Sequence, residues 1–321
     1  MEDLEALRAK RAAIIYNPVA RGLSRRQHLI QRTIPILGRH GVEARLVATT
    51  GPGSATGQAR HEIEAGADLI IAAGGDGTIN EVANGMLNSG VPLGILPGGT
   101  ANVLAREMRV PIKLEKAISG VLHYTPVRVA VGGIQIAGEP PRSFLCMAGA
   151  GLDADIVSRL NLDLKAAAGK LAFYVCGFAQ IFRSLPEFEV SIDGKTYVAS
   201  FALISRVRNY GGDLEIARRA SLLREDFEVV LFRGTHALQY LPYFVGVALG
   251  RINQMKGVTV LHGQSVLCHG KKDENIFVQV DGELAGRLPV QTKIIPDALT
   301  LLAPPEYLVR ERAFAAVPVC A

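Results

Sequence analysis

The sequence has few charges, few cysteines and no long apolar run, and each shortage closes off a class of protein. Asp, Glu, Lys and Arg supply only 20% of the 321 residues, too few for the charge-rich composition of a disordered chain. The four cysteines, Cys146, Cys176, Cys268 and Cys320, stand far apart. No pair has zinc-like spacing, and reduced thiols in a cytoplasmic protein are the expectation. His262 and His269 flank Cys268, but no fourth ligand follows to complete a zinc site. No uninterrupted apolar stretch approaches the ~18 residues a membrane-spanning helix requires. The opening MEDLEALRAKR is acidic then basic, without an apolar signal core. Neither the P-loop pattern Gly-x-x-x-x-Gly-Lys-Ser/Thr nor a dinucleotide fingerprint occurs. Ser143 and Ser205 lack a nucleophile-elbow context, which argues against covalent hydrolysis.

What remains is rich in apolar residues and glycine. The hydrophobic share is 49% and glycine occurs 34 times, enough for two domains with large cores and many close backbone approaches. Basic residues exceed acidic ones to give a net charge of +5. That mild excess suits anionic lipid surfaces or nucleotides and identifies neither. The arginines and lysines near the start carry no base-reading motif, so no nucleic-acid partner is expected.

Up to about residue 125, apolar runs alternate with helical spacing. AAIIY at 12–16 reads as a buried strand ending at Asn17-Pro18, and VEARLVA at 42–48 alternates like a strand. A helix is predicted over 54–66 with Ser54 as its cap, and residues 24–38 have helical spacing that Pro35 disturbs. DLIIAA at 68–73 is a strand entering GGDGT, and LGIL at 93–96 is a strand entering Pro97-Gly98-Gly99-Thr100. This rhythm predicts a parallel α/β domain with its ligand site beyond the carboxyl ends of the strands. After residue 125 the rhythm becomes β-rich. Strands are expected at 127–137, 143–147, 188–192, 197–205, 227–233, 258–262, 265–268, 276–280 and 289–295, with turn signals at Asp193-Gly194 and Asp281-Gly282. Two apolar helical stretches interrupt it, Leu164–Phe182 and 237–249. Either packs a core or walls a lipid groove.

Phosphoryl transfer requires backbone donors for phosphate, metal or basic partners for its charge, and a positioned acceptor hydroxyl. Gly74, Gly75 and Gly77 permit close backbone approach after a strand, and the following helix offers free N–H groups. Asp76 between them would repel phosphate, so it reads as a metal-side ligand or as the base facing the acceptor. Thr78 is a helix cap or a phosphate donor; Glu81 meets ribose hydroxyls or organises a loop. Gly99, Thr100 and Asn102 form a second loop suited to phosphate. Asp281 and Glu283 flank Gly282, either as an ordinary hairpin turn or as two acids aimed at a metal-bound phosphate. The latter requires the second domain to close over the first.

These motifs resemble the diacylglycerol kinase catalytic superfamily, and among its members the bacterial soluble lipid kinases related to sphingosine and ceramide kinases. The marks are Asn17-Pro18 with Gly22, GGDGTINEV at 74–82, LPGGTAN at 96–102, Gly149 with Leu152-Asp153-Ala154, and VDGE at 280–283. The resemblance implies an ATP-binding α/β domain over 1–125, a β-sandwich-like lipid-substrate domain over 126–296, and a segment 297–321 returning to the first domain. It implies ATP and Mg2+ as cofactors, with Asn17, Thr49, Glu81 and Thr100 lining the nucleotide site, Thr49 being placed by its spacing to Ala55. Asp281 and Glu283 would serve the metal and the transfer, Asp76 would share either task, and Asp153 would hold the lipid headgroup or shape its pocket. The base, Asp76 or Asp281, stays open. The implied partners are a lipid substrate and a transient membrane surface reached from the cytoplasm, with homo-oligomerisation open. A soluble-substrate kinase of the NAD-kinase type and a non-catalytic lipid-binding regulator are the alternatives. There are two departures. Val103 stands where many bacterial relatives carry Asp, as in the sphingoid branch. Leu223-Arg224-Glu225 replaces an Asp-Asp-Gly pattern, so a structural magnesium site found in some relatives is expected to be absent or rebuilt.

Overall fold

The computed structural model describes residues 9–24, 27–159, 185–211, 214–234, 237–248, 251–270 and 275–315. The chain forms two units, residues 1–130 with 296–321, and residues 131–295. The apolar stretch Leu164–Phe182, and Cys176 and Cys320, lie outside the described residues.

The first unit alternates strand and helix. Strand β1 (Arg11–Tyr16) leads through short helices α1 (Arg21–Ser24), α2 (Gln27–Gln31) and α3 (Thr33–Gly38) to β2 (Glu43–Ala48). The break between α2 and α3 follows from Pro35, whose ring would clash with the carbonyl of Gln31 in a continuous helix. Next come α4 (Ser54–Glu64), β3 (Leu69–Gly74), α5 (Asp76–Met86), β4 (Pro92–Pro97), α6 (Val103–Glu107) and α7 (Leu114–Gly120). The strands run parallel in the order β2-β1-β3-β4. Every residue of β3 is buried, as expected for a central parallel strand covered on both faces.

Strand β5 (Thr125–Ile136) carries the chain into the second unit. There β6 (Arg142–Phe144), β7 (Met147–Gly151), α8 (Leu152–Arg159), β8 (Phe188–Ile192), β9 (Lys195–Ala199) and β10 (Phe201–Ser205) follow. A short ribbon of β11 (Asn209–Tyr210) and β12 (Leu214–Glu215) precedes β13 (Phe227–Phe232). The predicted helix near 237–249 is a 3-10 turn, Ala237–Tyr240, running into α9 (Leu241–Ala248), with Pro242 in the first turn where its missing N–H costs nothing. Strands β14 (Val258–Gly263), β15 (Ser265–His269), β16 (Phe277–Val280) and β17 (Glu283–Arg287) complete the unit. Strand β18 (Val290–Ala303) and helix α10 (Pro305–Ala315) close the described chain.

One antiparallel sheet of the second unit has the order β14-β13-β10-β7-β16-β17. The other joins the first residues of β18 to β15, β8 and β9. Their inner faces share a core that includes Phe144, Phe188, Ile204, Phe227 and Val266, with Phe144 and Phe227 stacked at 5.7 Å. The far end of β18 instead lies parallel to β4 in the first unit, Thr300 opposite Pro92. Cys146 and Cys268 are buried, and burial pushes the Cys268 thiol up to about 12, far from reactivity.

Three strands expected as single runs are resolved differently. Residues 143–147 split into β6 and β7 because the intervening N–H groups turn to a side chain, as described below. Residues 197–205 break at Ser200, whose N–H donates to the Phe232 carbonyl at 2.9 Å and whose hydroxyl meets Tyr240 Oη at 2.8 Å. The strand over 289–295 runs on to Ala303, passing Pro296 and an Asp297 with φ of 48°.

Candidate functional site

In the first unit, the loops after β1, β3 and β4 meet at the carboxyl ends of their strands. The Asn17 N–H donates to Ala73 O at 3.0 Å, Gly98 N–H to Gly74 O at 2.7 Å and Gly22 N–H to Gly98 O at 2.9 Å. The GGDGT and GGTAN loops therefore touch backbone to backbone. A Cβ on Gly99 would stand 2.6 Å from the Gly75 Cα, so only glycine lets the two loops approach this closely.

Most of the polar side chains expected to meet nucleotide have a second task. Asn17 accepts the Val19 N–H at 3.0 Å and its amide reaches Thr78 Oγ1 at 3.4 Å. Asn102, left-handed at φ 49° before α6, brackets Gly99 by accepting its N–H at 2.8 Å and donating to its carbonyl at 2.9 Å. Glu81 accepts the N–H groups of Gly53 and Ala55, at 2.8 and 3.2 Å. It thus caps α4 from another helix, while Gly53, not Ser54, occupies the N-cap position. Of the two readings of Glu81, loop organisation is the one these bonds describe. Thr49 donates its N–H to Tyr16 O at 2.9 Å, and Thr100 is exposed. Gly77 and Thr78 lie in the first turn of α5, where backbone N–H groups have no acceptor within the helix. Asp76 opens that helix and accepts the Leu104 N–H at 3.2 Å, tying the first loop to the helix after the second. Burial pushes its carboxyl above the ordinary 3.8, while the N–H groups of residues 102–104 pull it back.

In the second unit, Asp281 and Gly282 have φ of 49° and 83° and join β16 to β17 with Val280 opposite Glu283. This is a two-residue turn of the primed type that Asp-Gly favours. The Asp281 carboxylate accepts three backbone N–H groups, from Leu145 at 3.1 Å, Cys146 at 3.0 Å and Met147 at 2.8 Å. These bonds end β6 and start β7. Glu283 is exposed. The second Asp-Gly turn, Asp193-Gly194, has the same backbone signs, φ 45° and 85°. Asp193 likewise accepts N–H groups, from Gln264 and Ser265. Anchoring a neighbouring loop is thus a structural habit of this turn, and the hydrogen bonds of Asp281 alone do not mark chemistry.

Asp153 sits in the first turn of α8, buried, with Tyr210 Oη on Oδ1 and Gln279 Nε2 on Oδ2 at 2.7 Å. It floors an apolar pocket walled by Leu152, Phe201, Ile216, Phe232 and Tyr243. Burial raises its carboxyl from 3.8 to about 6, against the lowering effect of both hydrogen bonds. A carboxyl raised on folding stabilises the fold only while protonated, so stability falls as pH rises from about 4 through about 6, by about 3 kcal/mol in all. Asp153→Asn keeps the shape, accepting from Gln279 and donating to Tyr210, without the charge. Its melting temperature relative to the parent is expected to climb by roughly 3–6 °C between pH 4.5 and 7.5, since about 2 kcal/mol of that change falls in this window. A constant difference across that range in thermal melts would refute the assignment.

At the altered 223–225 segment, Arg224 Nε donates to Asp226 Oδ1 at 2.8 Å and His262 Nδ1 lies 3.3 Å from Oδ2. Burial opposes charge on Asp226, but these two neighbours outweigh it and hold the carboxyl well below its usual range. The acid at this turn is already compensated by side chains. Cys268 is buried and His269 exposed.

Among the described residues, no group of three or more His, Cys, Asp or Glu side chains is arranged to hold a metal. Magnesium needs no such cage, since it is held through one or two carboxylates, substrate phosphates and water. The exposed Glu283 and the carboxylate of Asp281 fit that role. The glycine contact between the two loops fits close backbone approach to phosphate.

A family model described as the diacylglycerol kinase catalytic domain matches residues 11–134, and one described as the YegS C-terminal NAD kinase beta sandwich-like domain matches residues 146–303. A diacylglycerol kinase of Bacillus subtilis (strain 168) is 30% identical over 286 residues, covering 87% of this chain and 92% of that protein. A diacylglycerol kinase of Staphylococcus carnosus (strain TM300) is 26% identical, covering 87% and 90%. The crystal structure of a diacylglycerol kinase from Bacillus anthracis str. Sterne superposes with a TM-score of 0.72 at 21% identity, over 94% of this chain and 99% of that one.

Proposed function

Because this chain belongs to the bacterial diacylglycerol kinase and YegS-like family of ATP-dependent kinases acting on alcohol-bearing substrates, we propose that its acceptor is the hydroxyl of a lipid, a diacylglycerol, a sphingoid base or a relative. The observation that carries the reading is the Gly75–Gly99 contact, where two strand–loop–helix turns present backbone to one place. Gly74, Gly75, Gly77, Thr78, Gly99 and Thr100 hold the phosphates, and Asn17, Glu81 and Asn102 keep the loops in shape around them. Asp281 and Glu283 would hold Mg2+, which when bound would supply positive charge to offset that of the phosphates. Asp281 and Glu283 serve the transfer, and Asp153 with its apolar pocket takes the lipid. Asp76 is the proposed base, supported by a carboxyl whose affinity for a proton burial has raised.

No described helix is long and apolar enough to cross a membrane, and the proposed access to lipid is from a membrane surface. Labelled ATP and Mg2+ incubated with diacylglycerol, monoacylglycerol, phosphatidylglycerol, a sphingoid base and NAD, read by mass spectrometry, test the reading. Label is expected in a lipid; label in NAD alone would overturn it. The protein is also expected to co-sediment with anionic vesicles more than with neutral ones, given its net charge of +5.

A further inference from the structure

Gln279 is a polar residue inside an otherwise apolar strand, Phe277-Val278-Gln279-Val280, and it is buried to 2% exposure. Both ends of its amide are used. Oε1 accepts the Gly282 N–H at 2.8 Å, and Nε2 donates to Asp153 Oδ2 at 2.7 Å. The orientation is forced, because a backbone N–H can only donate, so the oxygen must face Gly282 and the nitrogen must face Asp153. Strand β7 makes room for the pair: Gly149 lies opposite Gln279. A Cβ at Gly149 would stand 2.4 Å from Asp153 Oδ2 and 2.8 Å from Gln279 Nε2. The result is one chain of hydrogen bonds, Tyr210–Asp153–Gln279–Gly282, within the second unit. It starts at two residues lining the apolar pocket and ends on the backbone between Asp281 and Glu283.

The turn itself does not require this clamp. Asp193-Gly194 adopts the same backbone, yet Ser191, the residue placed as Gln279 is, makes no hydrogen bond to Gly194 among those described. Burying an amide in a β-core for the sake of turn formation would therefore be a cost without a gain.

We propose that Gln279 is a positioning residue for phosphoryl transfer, coupling the acceptor pocket at Asp153 to the orientation of the Asp281–Glu283 turn. The inference rests on the proposed lipid-kinase reading of that turn. A lipid group that engages Asp153 or Tyr210 shifts the carboxylate, the amide follows, and the Gly282 peptide moves with it. Filling the pocket and aiming the acids become one event.

The test exchanges donor and acceptor. Gln279→Glu keeps the bond from Gly282 but sets two carboxylates against each other. They hold together only while they share a proton. Its kcat is expected to fall about tenfold or more from pH 6 to pH 9, beyond any change in the parent, with KM for ATP within about twofold. The double variant Asp153→Asn/Gln279→Glu restores a donor facing an acceptor, and its kcat at pH 9 is expected to recover above that of Gln279→Glu and lose the pH dependence. A merely structural glutamine would move melting temperature without this profile or rescue. Parent-like pH dependence in folded Gln279→Glu, or a folded double variant no better than Gln279→Leu, would overturn the inference. If Gln279→Glu does not fold, the double variant against Gln279→Leu decides alone. Asp281→Asn separates the two levels. If it is inactive while the Gln279 variants show no coupling, only the coupling fails; if it is fully active, the reading of the turn fails first.

Discussion

Asp281→Asn is expected to lower kcat for lipid phosphorylation by about 10²-fold or more, the scale of losing a charged group at a transfer site. It is also expected to destabilise the fold. Asparagine can accept from Cys146 and Met147, but its amide nitrogen then faces the Leu145 N–H, two donors without an acceptor. That mismatch costs about 1–3 kcal/mol. The protein carries its own control in Asp193, whose carboxylate accepts the Gln264 and Ser265 N–H groups from an equivalent turn. Asp193→Asn is expected to lose the same kind of bond and some melting temperature, yet to keep kcat within about twofold at a temperature below both transitions. Steady-state kinetics beside thermal melts on both variants make the comparison. Equal kcat in the two would show that Asp281 only anchors the backbone of residues 145–147.

The same pair of turns shows what a sequence discloses. Asp-Gly between apolar runs predicts a hairpin from local chemistry alone, and both turns form where expected. The buried strand at Leu69–Gly74 is equally local, an apolar run too short for a helix and ended by glycine. The α/β and β-rich classes follow from such runs, whereas the sandwich comes only with the family resemblance. The site is less legible because its bonds span long stretches of chain. Glu81 caps a helix from 28 positions away, so Ser54 looked like the cap. Asp281 takes N–H groups 134–136 positions earlier, so residues 143–147 looked like one strand. Gln279 and Asp153 are 126 positions apart. The one local trace of that pair is a glutamine among valines, which periodicity alone reads as an outward-facing residue.

Gly99→Ala is the second large effect. The added methyl would lie 2.6 Å from the Gly75 Cα and 3.0 Å from Asn102 Oδ1. Neither neighbour is a flexible chain end, since one is backbone and the other is held by the Gly99 N–H it accepts. The GGDGT and GGTAN loops must part. Overpacking of this kind costs about 1–3 kcal/mol, and a displacement near 1 Å at a transfer site costs about 10²-fold in rate. The expected result is a folded protein with a lower melting temperature and kcat/KM for ATP reduced by about 10²-fold. Gly75→Ala approaches the same contact from the other side, where the new carbon would meet the Gly99 Cα at 3.4 Å, ordinary contact distance. It is expected to keep its melting temperature within about 2 °C of the parent. Nucleotide titration and thermal melts on both variants check the asymmetry. If Gly99→Ala binds ATP as the parent does, the close approach of the two loops is not what shapes the phosphate site, because the methyl cannot enter without separating them.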